Sequence, residues 1–353
     1  MVVVALVAIA AVCSSVFTGL RDAPTYAARN NATTKRMGFY PGYADVVHLA
    51  SLESLIGRDA KFVVQFGDTR ASSFTASIWG QVLKAGALQT LSKQITLVES
   101  IPLAFGASID ASTARGRATA RLNLQATVSG ANDVMYRTVA GYLVSGGFPD
   151  AILRLGWEFD GTWMPWSAAG NEALFVSAYQ HVADIFRAAS GKFRFDWSGD
   201  PGHLQNELAA YPGDKYVDIV GMDVYDKAVP VAWNAATKTW VDPNAAFSWI
   251  RGSLQFQLDF AKSHKKSVSY PEWALTGVAS GANGSVGGDD PAFIQGMRKW
   301  MDGLRGSGAG SLAYHAYFDE DTNDGHHRID SSYFPNALAQ FTTLFASKAR
   351  AAG

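Results

Sequence analysis

Short apolar runs alternate with longer stretches of helical spacing from residue 37 onward. The strand-like runs are Met37 to Tyr43, Phe62 to Gly67, Ile95 to Phe105, Ala151 to Phe159, Phe193 to Ser198, Val217 to Tyr225, Ser267 to Trp273 and Leu312 to Phe318. Apolar residues three and four positions apart predict helices over Val134 to Leu143, Glu172 to Ala188, Ala246 to Lys262 and Pro291 to Leu304. Strands that alternate with helices predict a parallel sheet, and eight such units predict a closed (β/α)8 TIM barrel of the α/β class.

The first 28 residues differ from the rest of the chain. They contain the apolar run VVVALVAIAAVCSSVF, followed by small and polar residues through Ala27 and Ala28. We interpret residues 1–28 as an export signal and expect a secreted protein. An N-terminal membrane anchor is the alternative, because no Lys or Arg precedes the apolar run. Removal of the segment would take away Cys13, the only cysteine, so no disulfide or thiol catalysis is expected in the mature chain.

Length and composition favour one large domain with a neutral partner. The chain has 353 residues, which a (β/α)8 barrel accommodates in a single domain, here expected over residues 36–350. Its net charge of −1 argues against nucleic acid or an anionic membrane as the main partner. The chain has 10 Trp, 13 Tyr and 20 Phe, more aromatic residues than a core alone needs, so some remain for a cleft. We expect a monomer that needs no cofactor and no membrane once the signal is removed.

Two glutamates end apolar strand-like runs and stand beside tryptophan. Glu158 lies in LRLGWEFDGTWMPW, and Glu272 lies in SVSYPEWAL. Hydrolysis of a glycosidic bond with retention needs two carboxyl groups about 5 Å apart, one donating a proton and the other attacking the anomeric carbon. A glutamate among aromatic rings is partly desolvated, which raises its pKa, so Glu158 suits the acid/base role and Glu272 the nucleophile role. A surface ion pair is the alternative role for either glutamate.

Strand alternation predicts which other side chains share the inner face with the glutamates. Arg154 lies on the face of Glu158, Asp223 and Tyr225 share a face of their strand, and Tyr270 lies on the face of Glu272. Catalytic groups of such barrels lie at the carboxyl ends of the strands. We therefore expect a polar inner shell there, with Tyr225 donating a hydrogen bond to Glu272 and Arg154 lowering its pKa.

Aromatic side chains at strand ends are candidate platforms for sugar rings, because the apolar face of a pyranose stacks on a flat ring. The first candidates are Trp157, Trp163, Trp166 and Trp273, and further candidates are Trp197, Tyr40 and Tyr317. Packing between barrel and helices is the alternative for each of them.

The segment Asp319 to Asp330, DEDTNDGHHRID, raises the alternative of a metal site. It offers several carboxylates and the neighbouring pair His326 and His327, which could serve a metal-dependent hydrolase. Its spacing departs from that of an EF-hand loop, and adjacent histidines point apart on a strand. A solvated loop is the simpler interpretation.

Three of these segments resemble the family 26 glycoside hydrolases. LRLGWEFDGTWMPW resembles their strand-four acid/base motif, and YVDIVGMDVYD and SVSYPEWAL are similar to their strand-six and strand-seven segments. The residues that carry over are Arg154, Glu158, Gly161, Trp163, Trp166, Asp223, Tyr225 and Glu272. Trp157 departs from the pattern, because mannan-cleaving members have His before the acid.

The resemblance implies a retaining β-glycanase of the (β/α)8 clan. Its expected partner is a polysaccharide, with β-mannan or β-glucan ranked first and β-1,3-xylan as a further possibility. A carbohydrate-binding barrel without activity is the alternative from a different class, although the presence of both carboxylates disfavours it.

Overall fold

The computed structural model describes residues 31–70, 86–226, 244–277, 287–323 and 325–347, with the short pieces 233–234, 239–240 and residue 242. The expected export signal, residues 1–28, lies outside the described residues, so its assignment stays a prediction. The same holds for the outer limits of the expected domain, residues 36–350. No helix in the described part of the chain is both long and apolar enough to span a membrane.

Eight parallel strands close into a barrel, which confirms the predicted fold. In chain order the strands are β1 (Met37–Tyr40), β2 (Phe62–Phe66), β3 (Thr96–Ile101), β4 (Ile152–Leu155), β5 (Arg194–Gly199), β6 (Ile219–Met222) with its continuation β7 (Val224–Tyr225), β8 (Trp233–Asn234), β9 (Thr239–Trp240), β10 (Ser267–Ala274) and β11 (Leu312–Phe318). β11 pairs with both β10 and β1 and thereby closes the barrel, while β8 and β9 form a separate antiparallel pair.

Helices cover the outside of the barrel. They are α1 (Asn31–Thr34), α2 (Val46–Ile56), α3 (Ala87–Thr90), α4 (Ala114–Val128), α5 (Asp133–Ser145), α6 (Glu172–Ala189), α7 (Ala245–Ser263), α8 (Pro291–Gly303) and α9 (Pro335–Phe345). The four predicted helices correspond to α5, α6, α7 and α8. Capping residues define several ends: the Asp45 side chain accepts hydrogen bonds from two amides at the start of α2, and Gly57 ends that helix in the left-handed region.

Two of the predicted strands depart from regular strand geometry near the mouth of the barrel. The chain leaves β4 at Leu155, because Gly156 and Glu158 both adopt left-handed backbone angles, with φ of 59° and 49°. A side chain at position 156 would lie 2.9 Å from Leu103 Cβ, which explains the glycine. The predicted strand Val217 to Tyr225 is broken at Asp223 into β6 and β7.

The simple alternation predicted for β10 is wrong. Ser269 points into the barrel and donates to Asp196, whereas Tyr270 points outward and accepts a hydrogen bond from Trp300 of α8. The register with β11 shifts between Tyr270 and Trp273, as in a β-bulge. The bulge returns Glu272 to the inside, so Tyr270 does not belong to the polar inner shell.

Candidate active site

A cavity of about 610 Å³ opens at the carboxyl ends of the barrel strands. Its walls come from the segments that follow β4, β5, β7 and β11, from the end of β10 and from the first turns of α7. The lining residues are Glu158, Trp163, Met164, Asp200, Pro201, His203, Tyr225, Trp249, Glu272, Phe318, Thr322 and His327. Both predicted glutamates therefore lie in one cleft, at the face where barrels of this type carry their active sites.

Glu158 is held in the cleft by a constrained turn. Its amide donates to Ser198 of β5, and its carbonyl accepts from the Gly161 amide, both at 3.0 Å. Trp163 Nε1 donates to Glu158 Oε2 at 2.7 Å, which fixes the carboxyl group against the indole ring. A non-glycine residue with positive φ is uncommon, and such strained positions cluster at functional sites.

Glu272 is almost completely buried, and its carboxylate contacts one neutral hydroxyl group and one guanidinium group. Tyr225 donates its hydroxyl to Glu272 Oε2 at 2.8 Å, and Arg154 Nη2 lies 2.8 Å from Glu272 Oε1. These contacts are the ones predicted from the sequence. They orient the carboxylate, as a nucleophile requires.

Arg154 and Asp223 lie below Glu272 and are fully buried. Arg154 Nη2 is 2.5 Å from Asp223 Oδ2, and Arg154 Nη1 donates to Ser100 Oγ at 2.9 Å. Burial lowers the pKa of Arg154, but the neighbouring carboxylates of Asp223 and Glu272 outweigh it and keep the guanidinium charged. Burial raises the pKa of Asp223 well above its usual range, against the opposing effect of Arg154. Arg154 contacts both Asp223 and Glu272. Our assignment of Arg154 and Asp223 to substrate binding required exposed surface that could contact a sugar, and neither residue has any.

The two glutamates lie close enough for a two-carboxylate mechanism. One oxygen each from Glu158, Asp223 and Glu272 can be chosen so that all three lie within 4.8 Å of one another. In retaining glycosidases the carboxyl groups are about 5–5.5 Å apart, whereas inverting enzymes leave about 6.5–9.5 Å for a water molecule. At least one oxygen of each glutamate therefore lies nearer to the other glutamate than the spacing of the inverting enzymes.

Most of the predicted aromatic platforms are buried. Trp163 lines the cleft with about a third of its surface exposed. Trp157 and Tyr40 are only 7% exposed, both rings pack on Phe66, and neither is among the residues that line the cleft. Four of the predicted platforms have no exposed surface: Trp166, Trp197, Trp273 and Tyr317.

Each buried ring has a packing partner that explains its position. Trp166 donates to the Trp157 carbonyl, Trp197 stacks on Phe159, and Trp273 packs against Tyr317 and the α9 residues Phe341 and Phe345. For these four rings the predicted contact with sugar is wrong, and the alternative of packing between layers of the barrel is correct.

Sequence reasoning missed most of the other cleft residues. Asp200, Pro201 and His203 follow β5, and Phe318 and Thr322 end or follow β11, so the rule that sites lie at strand ends could have found them. Trp249 lies within α7, and no sequence signal distinguishes it from a core residue.

The histidine pair of the Asp319 to Asp330 segment does not form a metal site. His326 Nδ1 lies 3.0 Å from Asp321, while His327 Nδ1 lies 2.7 Å from the Leu275 carbonyl oxygen and its ring lines the cleft. Among the described residues, the groups that could jointly hold a metal ion include neither histidine. The structure therefore gives no support to a metal-dependent hydrolase based on this pair.

Part of the chain matches a known family and two curated proteins. Residues 146–270 match the model of glycosyl hydrolase family 26, a stretch that includes Glu158, Asp223 and Tyr225 but stops before Glu272. Endoglucanase H of Acetivibrio thermocellus is 31% identical over 88 residues, 22% of this chain and 10% of that protein. A mannan endo-1,4-β-mannosidase of Bifidobacterium adolescentis is 24% identical over 143 residues, 39% of this chain and 13% of that protein. The chain thus spans only about a tenth of the length of these curated relatives.

Solved structures share the fold over nearly the whole chain. GH26C from Muricauda sp. has a TM-score of 0.61 and 16% identity, covering 90% of this chain and 86% of that one. A GH26 β-mannanase from Bacteroides ovatus has a TM-score of 0.53 and 14% identity, covering 84% of this chain and 81% of that one. The partial family match and the shared fold confirm the resemblance predicted from the sequence: the chain is a (β/α)8 barrel that is similar to glycoside hydrolase family 26.

Proposed function

We propose that this protein is a glycoside hydrolase that cleaves internal β-glycosidic bonds of a β-mannan-type polysaccharide with retention. The observation that carries the proposal is the placement of Glu158 and Glu272 in one cleft, with carboxylate oxygens within 4.8 Å of each other. Two carboxyl groups at this separation can attack and protonate the same glycosidic bond from opposite sides.

In the first step, a carboxylate oxygen of Glu272 attacks the anomeric carbon. The bond to the leaving oxygen breaks, and that oxygen takes the proton of Glu158. Tyr225 and Arg154 hold the attacking carboxylate in place until the covalent bond forms. Trp163 keeps the Glu158 carboxyl group aimed into the cleft.

In the second step, Glu158 is a carboxylate and accepts a proton from water. The resulting hydroxide attacks the anomeric carbon from the side that the leaving group vacated, and Glu272 is released. Two inversions give net retention, and Glu158 has recovered its proton. One pair of residues therefore supplies acid, base and nucleophile.

The substrate proposal rests on the cleft and on the relatives. Trp163 and Trp249 expose ring surface in the cleft, which suits stacking against neutral sugar rings. A mannan endo-1,4-β-mannosidase and an endoglucanase are among the curated relatives, so β-mannan is the first candidate and β-glucan the second. The family resemblance adds β-1,3-xylan as the third. Trp157 stands where the mannan-cleaving members of that family have His, so the substrate panel has to include all three polysaccharides.

Export belongs to the same proposal, because a polysaccharide of this kind is too large to enter a cell. The apolar run near the N-terminus supports it. The first residue of the chain recovered from the culture medium, read by N-terminal sequencing, should lie near Ala27 or Ala28. Recovery of the chain only with cell membranes would instead support the anchor.

The activity is tested by reducing-sugar release from β-mannan, mixed-linkage β-glucan, β-1,3-glucan and β-1,3-xylan. Glu272→Ala and Glu158→Ala should each lose at least about 1,000-fold in kcat/KM, since each removes a group that acts in the transition state. Glu172→Gln, at the start of the outer helix α6, is the matched control and should keep full activity.

Azide assigns the two roles separately. On an activated aryl glycoside, azide should rescue Glu158→Ala and give the β-glycosyl azide, whereas it should rescue Glu272→Ala and give the α-glycosyl azide. If Glu158→Ala gave the α-glycosyl azide and Glu272→Ala the β-glycosyl azide, the roles of acid/base and nucleophile would be reversed. Binding of the polysaccharides without any sugar release would contradict the proposal and support a binding barrel instead.

A further inference from the structure

A histidine and two aspartates converge at the rim of the barrel mouth, away from the catalytic carboxylates. His48 lies in the first turn of α2, Asp319 directly follows β11, and Asp330 lies further along the same loop. His48 Nε2 is 3.0 Å from Asp319 Oδ2 and 3.6 Å from Asp330 Oδ2. One ligand atom from each of the three residues lies within 4.8 Å of the others. We call these residues the rim cluster.

The orientation of the His48 ring is fixed from its other side. Nδ1 lies 2.7 Å from the carbonyl oxygen of Pro41. A carbonyl oxygen only accepts, so Nδ1 carries a hydrogen and the neutral ring directs the Nε2 lone pair towards the two carboxylates. Histidines that bind metal ions are commonly held in this way, by a hydrogen bond from the second ring nitrogen to a backbone carbonyl.

The buried polar atoms of the rim cluster have few partners besides one another. Asp319 has no exposed surface, and its Oδ1 accepts from the Ile329 amide at 2.6 Å. Apart from the 3.0 Å contact between Asp319 Oδ2 and His48 Nε2, neither atom has a hydrogen-bond partner among the described residues. Buried polar atoms without partners are costly, and lone pairs that converge on one point are the arrangement that a cation resolves.

We propose that His48, Asp319 and Asp330 bind one divalent metal ion of the Zn²⁺ type. Bonds of about 2.0–2.1 Å in a tetrahedral site place neighbouring ligand atoms roughly 3.3 Å apart. The separations from His48 Nε2, 3.0 and 3.6 Å, lie on either side of that value. An imidazole among the ligands favours zinc over Ca²⁺ or Mg²⁺, which prefer oxygen ligands throughout.

The surroundings of the rim cluster support the assignment. The two carboxylates supply negative charge for a cation, and Arg328 offsets part of it. Asp330 is held by Arg328, whose Nε and Nη2 donate to its two oxygens at 3.1 and 3.2 Å, so the carboxylate keeps its position at a partly exposed site. The ion would join the loop after β1 to the loop after β11, where Phe318, Thr322 and His327 form one wall of the cleft. Its effect would be to stabilise that wall rather than to take part in the reaction.

The competing arrangement is a protonated His48 that forms ion pairs with the two aspartates and binds no metal. Titration calorimetry with zinc chloride, on tag-free protein dialysed against a chelator, separates the two. We expect one Zn²⁺ per chain, with binding weakened at least about 100-fold in His48→Gln and Asp330→Asn. His326→Gln is the matched control, because His326 also contacts an aspartate of this loop, Asp321, at 3.0 Å. It should bind zinc like the native chain.

Thermal unfolding gives a second readout that does not depend on activity. Zinc should raise the unfolding midpoint of the native chain and of His326→Gln, but not that of Asp330→Asn, whose partly exposed side chain can be changed without loss of the fold. The proposal is overturned if the native chain binds no zinc, if His48→Gln and Asp330→Asn bind it as tightly as the native chain, or if His326→Gln loses as much affinity as they do.

Discussion

Glu158 has a left-handed backbone conformation, and its carboxyl group accepts a hydrogen bond from Trp163 of the same motif. Its φ of 49° directs the side chain back over the strand end, and Trp163, five residues later, reaches its carboxyl group. Gly161 between them is explained by the same contact, because a side chain there would lie 2.5 Å from the Trp163 ring. The motif is therefore a local structure in which one indole supports the proposed acid and presents a face to the cleft.

Trp163→Phe tests that double role. Phenylalanine keeps an aromatic face but removes the Nε1 donor, and a hydrogen bond to a charged group contributes about 1.5–3 kcal/mol. We expect kcat/KM to fall about 10- to 100-fold, mainly through kcat, because Glu158 loses its orientation while stacking remains. Steady-state kinetics on the best polysaccharide of the panel gives the result.

Trp249→Phe is the comparison for this variant, since Trp249 also exposes its ring in the cleft. It should change kcat by less than about threefold. Equal loss of kcat in both variants would show that the indole nitrogen of Trp163 has no special part.

Residue type and position identified the two glutamates, but not which tryptophans reach solvent. Trp163 and Trp166 are three residues apart in the same motif, yet one lines the cleft and the other is fully buried beneath Trp157. The difference depends on the turn after β4, where Gly156 and Glu158 have positive φ. Strand alternation cannot anticipate that turn, so the sequence alone does not show that, of the three tryptophans in this motif, Trp163 is the one that lines the cleft.

At the scale of elements, strands were easier to predict than helices. All eight barrel strands coincide with predicted apolar runs, because buried parallel strands are continuous in apolar residues. The helix α4 was not predicted, since its buried face consists of Gly116, Ala120, Leu124 and Thr127 and gives little hydrophobic periodicity. The bulge in β10 was also missed, although Pro271 within the strand is a residue type that strand interiors tolerate only at such irregularities.

Arg154 connects three strands and provides the strongest test at this scale. It extends from β4 to Asp223 between β6 and β7 and to Glu272 of β10, with all three side chains buried. Arg154→Met removes the cation and leaves two carboxylates facing each other in the barrel. We expect the free energy of unfolding, from urea titration, to fall by about 3–5 kcal/mol.

An exposed arginine–aspartate ion pair with the same N···O distance provides the control for burial. Arg137 Nη2 lies 2.5 Å from Asp133 Oδ2, the same separation as in the Arg154 pair, but 63% of the Arg137 side chain is exposed. Arg137→Met should cost less than about 1 kcal/mol, because water and side-chain entropy offset an exposed ion pair. Similar losses in the two variants would mean that the inner shell tolerates uncompensated carboxylates.

For the whole molecule, closure of the barrel depends on contacts that join the two ends of the chain. β11 pairs with β1, and His315 of β11 lies on the outer face of that seam. Its Nε2 lies 3.1 Å from the Thr33 carbonyl oxygen, and its Nδ1 accepts from Trp273 Nε1 at 3.2 Å. The ring also packs against Phe345 of α9. These partners fix a neutral ring with its hydrogen on Nε2, since Nδ1 has to accept.

Burial lowers the pKa of His315 to about 3. In the unfolded chain histidine titrates near about 6.5, so between these values the unfolded state binds one more proton than the folded state. The contribution of neutral His315 to stability is therefore complete above about pH 6.5 and is lost as the pH falls towards 3. The greatest slope from this one group is about 1.4 kcal/mol per pH unit.

His315→Asn tests this acid sensitivity, because the asparagine oxygen can accept from Trp273 but has no titrating ring. The free energy of unfolding is measured by urea titration between pH 4.5 and 7.5 for the native chain and the variant. The native chain should be the more stable one at pH 7.5, since the variant loses ring packing against Phe345 and leaves a cavity. That advantage should shrink by about 2 kcal/mol or more by pH 4.5, where the native chain has to exclude a proton that the unfolded histidine takes up. Other carboxylates change both proteins alike, so the difference isolates His315. Parallel curves over this range would show that the seam between β11 and β1 accepts a charged histidine, and the acid sensitivity of the barrel would have to arise elsewhere.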